Sequence, residues 1–118
     1  MKGLSRELVN NKEIIVIDYS DCNEDRMIEL LNHARKLIRA ENKRQRVLAV
    51  FNQKSFLTPK VMAHFNSDRL GSNLLERQAA IGVSFAKKGI IQGHNILEKN
   101  DIRIFESKKD ALDFLAGD

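Results

Sequence analysis

The chain has 118 residues, of which 42% are hydrophobic and 31% charged. That is enough for one globular domain with a core that needs neither metal nor disulfide staples. The single cysteine, Cys22, excludes an intrachain disulfide and fits a reducing compartment. No stretch approaches the roughly eighteen apolar residues of a membrane span, and the N-terminus MKGLSRELVNNK lacks the apolar core of a leader, so the expectation is a cytoplasmic protein. The net charge of +4 is mildly basic.

In chain order, Leu4 to Val9 is open to two readings: a short edge strand turning back through Asn10 and Asn11, or an ordered lead-in. Ile14 to Ile17 are four consecutive β-branched apolar residues and predict a buried strand. Asp21 followed by Glu24 has capping-box spacing, which predicts a helix start with Asp21 as the cap. Met27, Leu30, Leu31, Ala34, Leu37 and Ile38 then recur at helical spacing, with Glu29, Asn32, Arg35, Lys36 and Arg39 on the other side.

Val47 to Phe51 is the longest unbroken apolar run in the chain. An unbroken run suits a strand covered on both faces, so this is the expected central strand. Thr58 and Pro59 follow as N-cap and first helical residue. Val61, Met62 and Phe65 supply the stripe of the second helix, with Gly71, Ser72 and Asn73 as its stop. Ala79 to Ser84 predicts a third core strand, with Gly82 where another group packs close. Phe85 to Leu97 reads as a weaker helix, short or broken, because Gly89 and Gly93 each cost about 1 kcal/mol relative to Ala. Ile102 to Phe105 is the last strand, and Ser107 with Asp110 caps a closing helix that buries Ala111, Leu112, Phe114 and Leu115.

These βα units predict one α/β domain over residues 1–118, with a core from 12 to 116. Its four- to five-stranded sheet is mostly parallel, or mixed, with helices packed on its faces. In such sheets ligands gather at strand C-ends. The candidate surface is therefore Asp18, Tyr19 and Ser20 together with Asn52, Ser55 and Thr58. Tyr19 either contacts a ligand or partner there, or packs its ring over the strand ends with its hydroxyl wet. Phe56 and Leu57 are apolar residues in a polar loop and mark a contact with a partner, a second copy included.

Other chemistries find no support in the residues. A receiver domain would need an Asp where the central strand ends in Phe51 and Asn52. The turn DYSDCN has neither a dinucleotide fingerprint nor a P-loop. Cys22 at a helix start would gain nucleophilicity from the dipole, but no histidine is spaced to pair with it, so a structural cysteine is the reading adopted. His33, His64 and His94 share no metal-ligand spacing, so no metal or cofactor is expected. An enzyme would need convergent polar groups around Cys22 or Asp18, and none is evident. The basic stretch Arg35, Lys36, Arg39, Lys43, Arg44 and Arg46 is read as a solvated face at a helix C-terminus rather than a nucleic-acid patch, since the aromatics and motifs of such modules are missing around it.

VIDYSD (Val16 to Asp21), ELLNHARKLI (Glu29 to Ile38), VLAVFN (Val47 to Asn52), AAIGVS (Ala79 to Ser84) and IRIFESKKDALDFL (Ile102 to Leu115), in that order, resemble the small bacterial SpoIIAA-like proteins of the STAS and Sec14-like group. The resemblance covers about residues 12 to 116. It implies a fold of βα units opened in some members by an antiparallel strand, and no catalytic activity. STAS domains are regulatory and protein-interaction modules, switched in some members by phosphorylation of a Ser or Thr after a core strand. Here the only candidates are Ser55 and Thr58, and the acidic residue that usually precedes the hydroxyl is absent, so the switch does not carry over by default. The Sec14-like relatives imply an alternative: a carrier of lipid or another small apolar ligand, with the Phe85 to Leu97 helix as its lid.

Overall fold

The computed structural model of the chain describes residues 2–67, 74–98 and 102–117. Five strands form one sheet in the order β1-β2-β3-β4-β5, where β1 is Leu4–Val9, β2 Lys12–Asp18, β3 Gln45–Val50, β4 Leu75–Ile81 and β5 Ile102–Ile104. β1 runs antiparallel to β2, and the other neighbouring pairs are parallel. Of the two readings of the N-terminal segment, the edge strand is the one formed. Asn10 and Asn11 both take positive φ, 50° and 64°, as a two-residue hairpin turn requires.

Each parallel strand is added on the same side of its predecessor. Crossovers of one hand then place every connecting helix on the same face. That face carries α1 (Glu24–Glu41), α2 (Pro59–Ser67) and α3 (Phe85–Glu98). Beneath them lies a core of Ile15, Ile17, Met27, Leu30, Ala34, Ile38, Val47, Phe51, Val61, Ala80 and Ile91. The closing helix α4 (Lys108–Leu115) follows the last strand and is not a crossover, so it is free to cover the opposite face. There Ala111 and Leu115 meet Ile14, Val16, Leu48 and Ala79. The central run is thus shared between both layers: Val47, Ala49 and Phe51 face α1 to α3, and Leu48 and Val50 face α4.

Local details depart from the sequence expectations in four places. The cap of α1 is Asn23, whose side chain accepts from the Arg26 amide at 2.8 Å, while Asp21 sits outside the helix with φ of 59°. β4 begins at Leu75 and ends at Ile81, ahead of Gly82. α3 is one continuous helix of 14 residues. Its neighbours supply the stability its glycines withhold, since Ile91 is buried in the core and Ile90 packs against it. Arg35, expected on the wet side of α1, is only 5% exposed. The proposed stop of α2 at Gly71 to Asn73 and the side chains of Met62, Phe65, Phe85, His94 and Leu97 lie outside the described residues.

Ser107 caps α4 as expected, accepting from the Asp110 amide at 3.1 Å. At the other end of α4, the buried Arg46 guanidinium donates to the carbonyls of Leu115 and Gly117 and pairs with Glu76 at 3.1 Å. A cation among the last carbonyls complements the helix dipole. On the other face Arg6 of the edge strand bonds both Glu13 and Glu41. That contact joins β1 to the end of α1, and its hydrogen bond holds the Glu41 carboxyl below the usual carboxylate range. No helix among the described residues is long and apolar enough to cross a membrane.

Gly82 has φ of 73°, and a Cβ built on it would lie 1.8 Å from the Phe51 carbonyl oxygen. Replacing Gly82 with Ala should therefore lower unfolding stability by at least about 2 kcal/mol. At Gly89 nothing lies within 4 Å of the place a methyl group would take, so Gly89→Ala should raise stability by about 0.5 to 1 kcal/mol. Urea denaturation of the two variants checks both signs.

Candidate functional site

β2, β3 and β4 are parallel, so their C-ends and the starts of α1, α2 and α3 share one edge of the sheet. The loops Tyr19 to Asn23, Phe51 to Thr58 and Gly82 to Ser84 form this rim, and Asn52 is its junction. Its Oδ1 accepts from the backbone amides of Asp21 and Lys54, each at 3.0 Å, with the Ser55 hydroxyl oxygen 3.2 Å away. Its Nδ2 donates to Asp21 Oδ1 at 2.9 Å. Its backbone carbonyl accepts from Lys87 Nζ of α3 at 3.1 Å. One residue therefore joins the first two loops to each other and to the start of α3.

Ser55 completes the junction from below. It is only 3% exposed. Its hydroxyl donates to the Tyr19 carbonyl at 2.8 Å and accepts from the Asn52 amide at 3.0 Å. Ser55, placed on the candidate surface from the sequence, is thus a buried tie between the loops that follow β2 and β3. Thr58 is half-buried and caps α2, accepting from the Val61 amide at 3.3 Å and donating to Glu24 of α1. The Phe56 amide donates to the Cys22 carbonyl at 3.0 Å, which adds a third tie between the first two loops.

The remaining predicted residues separate into a surface layer and a supporting one. Asp18 is exposed and accepts from the Ser20 amide at 3.0 Å, a local turn; Ser20 is half-buried beside it. Tyr19 is 1% exposed and stacks on Phe51 with ring centroids 5.3 Å apart and 23° between the planes. The wet hydroxyl considered for Tyr19 is thereby corrected. Burial, with only partial relief from the nearby Arg35 charge, pushes its phenol above the ordinary value. The expected Phe56 and Leu57 pair also divides, because Phe56 is 58% exposed and Leu57 4%. Successive residues of this loop point to opposite sides, so one side chain enters the core and the other is left in solvent.

Cys22 is buried just before the cap of α1. Burial pushes its thiol up, ahead of the lowering effect of Arg26, which is the opposite of what an activated nucleophile requires. His33 is exposed and His64 half-buried. No group of three or more His, Cys, Asp or Glu side chains among the described residues is placed to hold a metal ion.

The opposite edge of the sheet holds an open cleft of about 390 Å³ lined by Asn11, Lys12, Glu13, Lys43, Arg44, Gln45, Arg46 and Glu76. This is where the end of the basic stretch falls. Its charges are partly spent on neighbours: the buried Arg46 holds the end of α4, and the exposed Lys43 lies 3.9 Å from Glu13. The stretch therefore supplies one buried clamp, the buried Arg35 and a solvated remainder, rather than a uniform basic face.

Against protein-family models, curated proteins and solved structures, the chain gives no significant match.

Two outcomes follow from this geometry. Asn52→Ala removes the acceptor of two backbone amides and the donor to the Asp21 carboxylate, so it should cost about 2 to 3 kcal/mol in urea denaturation. Cys22 should react with a disulfide reagent at pH 8 at least about tenfold more slowly than an exposed thiol, and reach the normal rate in denaturant; a fast native reaction would contradict its burial.

Proposed function

We propose that the chain is a non-catalytic regulatory or protein-interaction module of the STAS-like kind, acting through the rim. Its contact surface is formed by Asp18, Ser20, Asn52, Phe56 and Thr58, with Tyr19, Ser55 and Leu57 as the layer that holds them. One observation carries this reading: the polar groups of the rim are engaged with one another, while a large apolar side chain, Phe56, is left in water. A reaction centre needs polar groups free to touch a substrate, whereas a docking surface needs a fixed shape and an exposed anchor.

An antiparallel first strand followed by parallel βα units is compatible with the fold that the sequence resemblance implies. The packing of Ile90 and Ile91 from α3 into the core supports the interaction module over the lipid carrier, in which that helix would be a lid. Were Ser55 or Thr58 phosphorylated, the group would act as a disrupting charge. On Ser55 it would displace the Tyr19 and Asn52 contacts, and on Thr58 it would face the Glu24 carboxylate.

Phe56→Ser should change unfolding stability by less than about 0.5 kcal/mol and abolish capture of the partner on immobilised protein. Leu57→Ser should instead cost about 2 to 4 kcal/mol. Capture that survives Phe56→Ser unchanged would contradict the assignment of the rim.

A further inference from the structure

We infer that the partner of the rim is a second copy of this chain, docked about a two-fold axis close to Phe56. This rests on the reading of the rim as a docking surface. The charges of the rim are divided in space. On the β2 side stand Asp18, Asp21 and Asp25, all exposed; on the β3 and β4 side stand Lys54 and Lys60, both exposed, with Lys87 half-buried behind them. Phe56, held against Cys22 by its amide, lies between the two halves.

The helix starts sharpen this division. The N-terminal end of a helix carries positive partial charge and favours carboxylates in its first turn. α1 follows the rule with Glu24 and Asp25. α2 and α3 have no acidic residue in their first turns, and each places lysine there: Lys60 in α2, Lys87 and Lys88 in α3. Cations at those ends are locally unfavourable. Glu24, bonded to the capping Thr58, offsets part of this at α2, and Lys87 is held on the Asn52 carbonyl. Carboxylates brought by a partner would relieve the remainder at the exposed Lys60 and at α3. The surface bearing such carboxylates beside an apolar centre is the other half of the same rim.

A two-fold rotation about Phe56 lays the acidic half of one copy on the basic half of the other and brings the two phenyl rings together. This is the self-complementarity that an isologous interface demands. A uniformly acidic partner would meet Asp18, Asp21 and Asp25 with like charge, and a uniformly basic one would meet the lysines. Only a partner carrying both signs in the reversed order satisfies the whole rim. The paired charges are exposed, so the association is salt-sensitive.

Charge reversal tests this without knowledge of individual contacts. Asp18→Lys with Asp25→Lys makes the rim more basic on its acidic side, and Lys54→Glu with Lys60→Glu makes it more acidic on its basic side. In sedimentation equilibrium at low salt the unmodified chain should dimerise with concentration, and raising salt from about 50 mM to about 500 mM should dissociate it. Each double variant alone should be monomeric. An equimolar mixture of the two should form a heterodimer at least about tenfold tighter than either self-association, which also shows that both variants are folded. The single Asp25→Lys variant, which breaks no side-chain hydrogen bond among the described residues, should weaken the dimer in the same direction. A chain that stays monomeric to about millimolar concentration, or a mixture that stays monomeric, overturns self-docking. Neither result touches the Phe56-dependent capture that tests the rim as a docking surface, so the two failures are distinguishable.

Discussion

A carboxamide can donate and accept at the same time, and the rim of this sheet depends on Asn52 doing both. Opposite it stands the Asp21 carboxylate, which can only accept. Asn52 Nδ2 satisfies that carboxylate, while Oδ1 takes the Asp21 and Lys54 amides. An aspartate at position 52 would set two carboxylates against each other, and an alanine would leave two backbone amides to find water. An amide rather than a carboxylate at position 52 thus has a local electrostatic reason.

That junction is possible only because of how the sheet is wound. Adding each parallel strand on the same side of the last puts α1, α2 and α3 on one face and their starts along one edge. Adjacent strands then deliver adjacent loops, close enough for single side chains to span them. Gly82 is part of the same constraint. Its lack of a Cβ lets the end of β4 approach the Phe51 carbonyl, immediately before Asn52. Below the rim, Tyr19 stacked on Phe51, together with Leu57, ties the loops into the core. α4 lies apart from all of this on the other face, anchored by Arg46, so the rim is assembled without it.

The strands and the turns were legible because their signals are local. Ile14 to Ile17 and Val47 to Phe51 announced buried strands by composition, Asn10 and Asn11 a turn by their tolerance of positive φ, and Ser107 a cap by its spacing to Asp110. The expectation that Gly82 marks a close approach had the same basis. What the residues alone did not disclose depends on partners distant in sequence. Asp21 has the right spacing to cap α1, but Asn52, 31 positions away, draws it into a different bond and leaves the cap to Asn23. Leu57 and Phe56 look alike in a linear reading, and only the path of the loop over the core separates them. Ser55 reads as an ordinary loop serine until the Tyr19 carbonyl is brought to it. Arg35 and α3 repeat the pattern: burial and helix continuity were decided by packing against the sheet rather than by periodicity. That these residues share the edge of the strand C-ends was legible, but their division into exposed and buried ones was not.

The hydrogen bonds that converge on Asn52 predict a rim that opens as a single unit rather than as a set of independent loops. Native-state hydrogen exchange measures this directly at the amides of Asp21, Lys54 and Phe56, whose acceptors are the Asn52 side chain and the Cys22 carbonyl. In a rigid rim these three exchange with a common protection, at least about a hundredfold slower than free amides, and open together as one unit. Exchange at the rate of unprotected loop amides, or three unrelated protection factors, would contradict it.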